Sequence, residues 1–437
     1  MNGKPRRILL ESTCTLDTSF TTGIQRVVRS VIAQAIVLSE QAGAECVPVV
    51  FRKDRFYDAR EAWRRQLHNR DRRCRSLLHR LSREIDRLPP AVAELYSAGR
   101  IRLRKLLYPR TLMRTLTNAA WQWSAEPVSF RDTDILLLLD ETWRVPMWAE
   151  VERARSRGCC VGAVVYDLIP IDHPHCFQDG FVALFSQGLE TLLQHSDFFL
   201  PISHTVADRL RVHIEAMLPG DRDRRESVVP FRLGVADVTD VPGGSVRSSL
   251  RRCFDRDSGS APYLCVGTLE PRKNHRYLLD AFEIVWNRCP RARLAVVGRI
   301  GWKCRDILQR VRRHPRFGSS LFLFTDLNDA ELFSCYRQAK AVVACSIDEG
   351  FGLPIVDGLQ HGLPVFASDI PVHREIGSDA CEYFDLTEPH WLARRVIEME
   401  QRDSAEWIHL PKGSHLVTWR ESTEELLGKA LFMRANL

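Results

Sequence analysis

Short apolar runs alternate along this chain with longer stretches whose apolar residues recur at helical spacing. Runs at 7–12, 46–51, 135–139, 161–166, 198–202 and 228–231 read as strands. A second series follows at 263–267, 294–297, 321–324, 341–345, 365–368 and 382–384. Residues 24–39, 181–195, 206–217, 277–287, 330–338, 354–361 and 391–401 read as helices between them. Strands rich in Val, Ile and Leu that alternate with helices imply parallel sheets covered on both faces. Two such series imply an α/β protein of two Rossmann-like, doubly wound parallel-sheet domains.

The length of 437 residues suits this division. Residues 238–261 contain Pro242-Gly243-Gly244-Ser245 and Asp257-Ser258-Gly259-Ser260, which is linker chemistry. The expected domains are therefore 1–240 and 241–437. Residues 52–115 break the rhythm and read as a basic helical insertion, with 19 Lys and Arg against 7 Asp and Glu. That is a surplus of 12 on a chain whose formal net charge is +7. Trp63, Leu67, Leu77, Leu78, Leu81 and Ile85 accompany the arginines, the pattern of an interfacial helix. The expected partner of this segment is an anionic membrane surface, held less tightly as salt rises. A solvated hairpin whose leucines pack on the first domain is the alternative.

Other classes recede. The 45% hydrophobic and 27% charged residues suit a globular protein. No apolar run reaches the roughly 18–20 residues of a membrane-spanning helix. The apolar stretch after Met1 is too short for a signal peptide. Thirteen cysteines without CxxC pairs, two of them adjacent at Cys159-Cys160, suit a reducing compartment. The chain is expected to be cytoplasmic, peripheral at most on the inner face of the cell membrane. The basic segment has few interleaved aromatics, which argues against nucleic acid. The Asp-Arg-Asp triplets at 221–223 and 255–257 lie in Arg-rich loops, and the histidines show no ligand spacing. No metal and no other cofactor is expected.

Candidate chemistry concentrates in the second half. Asp348-Glu349-Gly350-Phe351-Gly352-Leu353-Pro354-Ile355-Val356-Asp357 follows an apolar strand, and Pro354 sits where a helix begins. Strand, turn and helix N-terminus form the ligand-binding end of an α/β sheet, where free backbone N–H groups suit a phosphate. Gly350 and Gly352 allow close backbone approach. Glu349 and Asp357, eight positions apart, can face one ligand. Earlier, Val266-Gly267-Thr268-Leu269-Glu270-Pro271-Arg272-Lys273-Asn274 also follows a strand and places two cations at a helix start. Cations there oppose the helix dipole, and an anion held by both would remove the conflict.

The first of these runs resembles the E-x7-E motif of family 4 retaining glycosyltransferases, and Gly362-Leu363-Pro364-Val365-Phe366-Ala367-Ser368 continues the likeness. The second resembles that family's G-x-L-x-P-x-K-N stretch. Thr22-Gly23-Ile24-Gln25-Arg26-Val27-Val28-Arg29, Val165-Tyr166-Asp167-Leu168-Ile169-Pro170, Pro201-Ile202-Ser203, Leu233-Gly234-Val235 and Val297-Gly298-Arg299-Ile300-Gly301-Trp302 extend the resemblance. The tail at Thr418-Trp419-Arg420-Glu421-Ser422 is similar to the family's last helix, about 420–433 here, which crosses back to the first domain.

The resemblance implies a GT-B fold, two domains facing a cleft. It implies that Lys273 binds the donor diphosphate with Arg272 beside it, and that Glu349 bonds sugar hydroxyls. It implies donor-binding roles for Gly23, Thr268, Gly350, Phe351, Gly352 and Leu353. It gives the ribose to Asp357, one methylene shorter than the family's Glu. Tyr166 and Asp167 stand on the acceptor side, where many members carry His-Asp.

A nucleoside diphosphate leaving from a sugar builds negative charge that Lys273, Arg272 and helix-terminal N–H groups can stabilise without a metal. The expected reaction is retaining transfer of a hexose from a nucleotide sugar to a glycan or lipid-linked glycan. The wording around Gly23 is similar to bacterial surface-polysaccharide mannosyltransferases, so GDP-mannose leads as donor. The alternatives are another GT-B enzyme (a sugar-nucleotide epimerase or a phosphorylase) and an inactive scaffold.

Overall fold

The structure, a computed structural model, describes residues 6–18, 23–39, 44–68, 126–236, 238, 242–254, 261–401 and 416–437. Two compact units appear, Met1–Val161 and Gly162–Leu437.

In the first unit, β1 (Arg6–Glu11) pairs in parallel with β2 (Ala44–Arg52) from Arg6↔Ala44 to Glu11↔Val49, and with β4 (Ile135–Leu138) from Ile8↔Ile135. Ile8, Leu9 and Leu10 are consecutive and all fully buried. Successive side chains of a strand point to opposite faces, so both faces of β1 are covered. Helix Gly23–Leu38 buries Val27, Val28, Val31, Ile32 and Ala35, the three-and-four spacing of one helix face.

Residues 52–58, read from the sequence as the start of a helical insertion, form a hairpin instead. β3 (Arg55–Asp58) runs antiparallel to β2. Lys53 and Asp54 take φ of 45° and 61°, the left-handed pair that a two-residue turn needs to match strand twist. No glycine marks the turn, so the pattern concealed it. Helix Arg60–His68 follows, and Asp58 Oδ1 accepts the Arg60 N–H at 2.9 Å. Trp63, grouped above with a membrane-facing stripe, is fully buried and donates to Ser12 Oγ at 3.0 Å. It packs inside the unit and does not face a bilayer. The rest of the basic stretch, residues 69–115, lies outside the described residues.

β5 (Cys160–Val165) and β6 (Phe198–Pro201) are parallel, and the first sheet has the order β3-β2-β1-β4-β5-β6. The strand expected at 228–231 is reduced to one bridge, Phe199↔Val228: Val229 and Phe231 donate to the Phe199 and Pro201 carbonyls, but Pro201 has no N–H to return a bond to Val229. β7 (Gly234–Val235) pairs with β14 (Val417–Thr418).

The second sheet comprises β8 (Tyr263–Val266), β9 (Leu294–Val297), β10 (Leu321–Phe324), β11 (Ala341–Ala344), β12 (Val365–Ser368) and β13 (Glu382–Phe384). Its order is β10-β9-β8-β11-β12-β13, all parallel. Both sheets thus follow the doubly wound order 3-2-1-4-5-6, whose order reverses beside the first strand. Two apolar layers cover the second sheet, one around Phe282, Trp286 and Phe366, the other around Phe254, Tyr336 and Ile355.

Residues 162–235, which carry most of β5 and all of β6, also bond to the loops and helices that follow β9, β11 and β12. Ser203 Oγ donates to the Gly350 carbonyl at 2.9 Å. Glu375 accepts the N–H groups of His204 and Thr205 at 2.7 and 2.8 Å, capping helix His204–Met217. Trp302 donates to the Cys176 carbonyl at 2.8 Å and packs on Phe177. The terminal helix Trp419–Asn436 opens with a capping box of Thr418 and Glu421. Its Ser422 donates to the Arg232 carbonyl at 2.7 Å and its Glu425 lies 3.0 Å from Arg232. Gly234 permits that contact, since a Cβ there would fall 2.5 Å from the Trp419 Cα. Among the described residues, no helix is long and apolar enough to cross a membrane.

Candidate active site

The site forms at the carboxyl ends of β8 and β11, adjacent strands at the reversal of the second sheet. The loop after β8 turns through the short 3-10 helix Pro271–Lys273 and enters helix His275–Arg288. Asn274 makes the junction in a left-handed conformation, φ 53°. The loop after β11 leads into helix Leu353–Gln360, whose N-cap Gly352 has φ 97°. There glycine adopts at no steric cost what other residues resist. Ile347 N–H donates to the Arg272 carbonyl at 2.9 Å, tying the two loops backbone to backbone.

This tie brings Glu349 onto both cations. Lys273 Nζ bonds Glu349 Oε1, and Arg272 lies 2.7 Å from Glu349 Oε2. Ser346 Oγ donates to the same carboxylate at 2.7 Å, and Arg272 also lies 2.6 Å from Glu270. Burial alone would raise the Glu349 carboxyl. Lys273 and Arg272 overcome it and hold the group well below the ordinary carboxylate range. Glu349 is therefore an ionised, buried acceptor. The Lys273 stem lies over Gly267, whose added Cβ would stand 3.2 Å from Lys273 Cε.

Neighbouring acids surround this core. Asp348 is 1% exposed, accepts the Glu349 N–H at 2.8 Å, and pairs with Arg209 at 2.5 Å and His173 at 3.3 Å. Burial raises Asp167 to about 6, against the pull of Arg272. Tyr166 is buried, and its carbonyl occupies the space a Gly350 side chain would need, 2.0 Å from the missing Cβ. Gly350 thus serves a chain–chain approach. Thr268 also faces protein: its Cγ2 lies 2.8 Å from where a Gly301 Cβ would stand.

A pocket opens over this arrangement, lined by Lys273, His275, Ser346, Glu349, Gly352, Pro354 and His373 above the ends of β8 and β11. Arg272, Phe351, Leu353 and Asp357 do not line it. Asp357 is 8% exposed on helix Leu353–Gln360. Gly23 is the exposed first residue of its helix in the first unit.

Two histidines and a serine went unnoticed in the sequence. His373 is 1% exposed, and its Nδ1 lies 3.0 Å from the Ser368 carbonyl. A carbonyl only accepts, so Nδ1 carries the proton and Nε2 remains an acceptor. Burial pushes this imidazole below its ordinary value, keeping it neutral. Ser368 Oγ donates to the Ser346 carbonyl at 2.6 Å, linking His373 to the residue that holds Glu349. His275 is pushed down to about 4 by burial and then by Lys273, and its Nε2 has no partner among the described residues. A histidine just past the Lys273-Asn274 turn, and one just past Pro371 after β12, were the available signals. Asp221, of the first Asp-Arg-Asp triplet, caps helix Arg222–Glu226 by accepting the Arg224 N–H at 3.0 Å.

Residues 247–405 match the family described as Glycosyl transferases group 1. The serotype-specific mannosyltransferase WbdA of Escherichia coli is 29% identical over 313 residues, 69% of this chain and 37% of the relative. The chain thus spans little more than a third of that relative's length. The O-antigen chain mannosyltransferase B of Escherichia coli is 30% identical over 38% of this chain and 44% of its own. Among solved structures, Anabaena Alr3699/HepE in complex with UDP and glucose superposes with a TM-score of 0.54 at 12% identity, over 98% of this chain and 97% of that one. The chain has a GT-B fold, and its residues 247–405 match the group 1 glycosyl transferases.

Proposed function

We propose that the chain is a retaining hexosyltransferase that moves mannose from GDP-mannose to a glycan or lipid-linked glycan of a bacterial surface polysaccharide. The observation that carries this reading is the buried cluster of Lys273, Arg272 and Glu349 at the sheet reversal. Two cations there can take a diphosphate, and a carboxylate held ionised can accept sugar hydroxyls. The entering diphosphate replaces Glu349 on the cations and frees its oxygens for the sugar. As the anomeric bond breaks, Lys273 and Arg272 meet the charge gathering on the leaving phosphate. The acceptor hydroxyl attacks from the leaving-group side and gives its proton to the departing phosphate, which preserves configuration without a protein nucleophile.

The relatives' names support mannose. The solved neighbour holding UDP and glucose supports a nucleotide sugar as donor class. Thermal shift across a panel of nucleotide sugars tests the donor, with GDP-mannose expected to stabilise most. Absence of any shift across the panel would sink the reading. Proton NMR of the product glycoside tests retention. Turnover unchanged in EDTA is expected of a metal-free mechanism, and metal-reversible loss would overturn it.

A further inference from the structure

A second pocket lies away from Lys273 and Glu349, at the far edge of the second sheet. Its volume is about 250 Å³, and its lining is Tyr383, Phe384, Asp385, Trp391, Arg394 and Arg395. Tyr383 and Phe384 end β13, Asp385 follows it, and the last three belong to helix His390–Gln401. Positions 391, 394 and 395 share one helix face, so the indole and both guanidinium groups converge. Trp391 is 41% exposed, unusual for so large an apolar ring. The floor is rigid: Phe384 is 3% exposed and stacks on Tyr277, ring centres 5.8 Å apart. Tyr383 is held by Arg374, whose guanidinium lies 4.0 Å over its ring.

The chemistry selects a class of occupant. Asp385 is exposed and opposes an anion, while Arg394 and Arg395 oppose a cation. Both arginines lean on Glu398, at 2.8 and 3.4 Å, which softens their charge further. A neutral polyhydroxyl ligand both donates and accepts, and suits a rim of mixed sign. An exposed indole beside such a rim fits the apolar face of a pyranose ring. Position agrees. β11, β12 and β13 are adjacent and parallel, so this pocket shares the carboxyl edge of the sheet with Glu349. Two strand spacings of roughly 4.8 Å separate their ends, within reach of a short oligosaccharide.

We propose that this pocket is a second glycan-binding site, which holds pyranose rings of a neutral glycan chain outside the transfer site. It rests on the glycosyl-transfer reading only for supposing that such a chain is at hand.

The test is saturation-transfer NMR and calorimetry on the full chain with mannotetraose and maltotetraose. Binding of at least one is expected, weakened at least tenfold in Trp391→Ala and less in Trp391→Phe. GDP-mannose should not displace it, and thermal stabilisation by GDP-mannose should be the same in both variants as in the parent. Three outcomes overturn the proposal: neither sugar binds the parent, Trp391→Ala binds as tightly, or GDP-mannose competes. None of them touches the donor reading, which fails separately if nucleotide sugars produce no shift.

Discussion

Replacing Lys273 with alanine separates the catalytic use of the buried cluster from its structural use. The Lys273 amine bonds Glu349 Oε1, and both side chains are about nine-tenths buried. After the substitution Glu349 keeps Arg272 at 2.7 Å and Ser346 at 2.7 Å, so its charge is not stranded. Leaving a buried charge wholly unpaired costs about 3–5 kcal/mol, and the two remaining partners should hold the loss to about 1–3 kcal/mol. The lost amine also allows the Glu349 carboxyl to rise from its depressed value. A depressed carboxyl contributes stability above its unfolded value near 4.5 and loses it as pH falls through the folded one. The variant should therefore lose acid resistance before the parent does.

Catalysis should suffer more. One charge-assisted contact to a leaving group is worth about 2.7–4 kcal/mol, a fall of roughly 100- to 1000-fold in kcat. Thermal melts between pH 4 and 8 read the first effect, and donor turnover at pH 7.5 reads the second. A folded Lys273→Ala variant whose turnover stays within about threefold of the parent would refute the assignment of this amine to the leaving diphosphate.

Glu349→Gln should cut turnover by about 100-fold, because an amide offers one accepting oxygen where the carboxylate offers two; unchanged kinetics would make this acid structural. Asp167→Asn should gain stability over the parent as pH rises from 4 to 6. The folded carboxyl is raised to about 6, so its ionisation opposes folding above that pH, by about 1–3 kcal/mol. Parallel melting curves across that range would count against this burial. Gly350→Ala should lower stability by more than about 3 kcal/mol, because its Cβ would stand 2.0 Å from the Tyr166 carbonyl. An unchanged melting temperature would show that the two loops separate freely.

The strand and helix periods, read without contacts, determined most of the fold. Each strand of the second sheet lies where its apolar run stands, because a strand covered on both faces must be apolar throughout. The glycine-bearing turns after β8 and β11 placed Lys273, Arg272 and Glu349 at the carboxyl edge before any distance was known. The hairpin at Lys53-Asp54 escaped because its left-handed turn uses no glycine. The strand at 228–231 was over-read because the missing N–H belongs to its partner, Pro201 of β6, and not to the run itself.

Contacts between residues far apart in the chain lay beyond any local pattern. Glycines at 350 and 352 look alike in sequence, yet Gly350 makes room for a carbonyl 184 positions earlier and Gly352 turns the backbone with a φ of 97°. Lys273 and Glu349 each suggested a ligand contact, but only packing revealed that they hold one another. His373 became visible because Ser368 and Ser346 link it to Glu349. Period and turn chemistry are local and survive in one dimension. Pairing of charge and exclusion of volume depend on which distant residues the fold brings within a few ångströms.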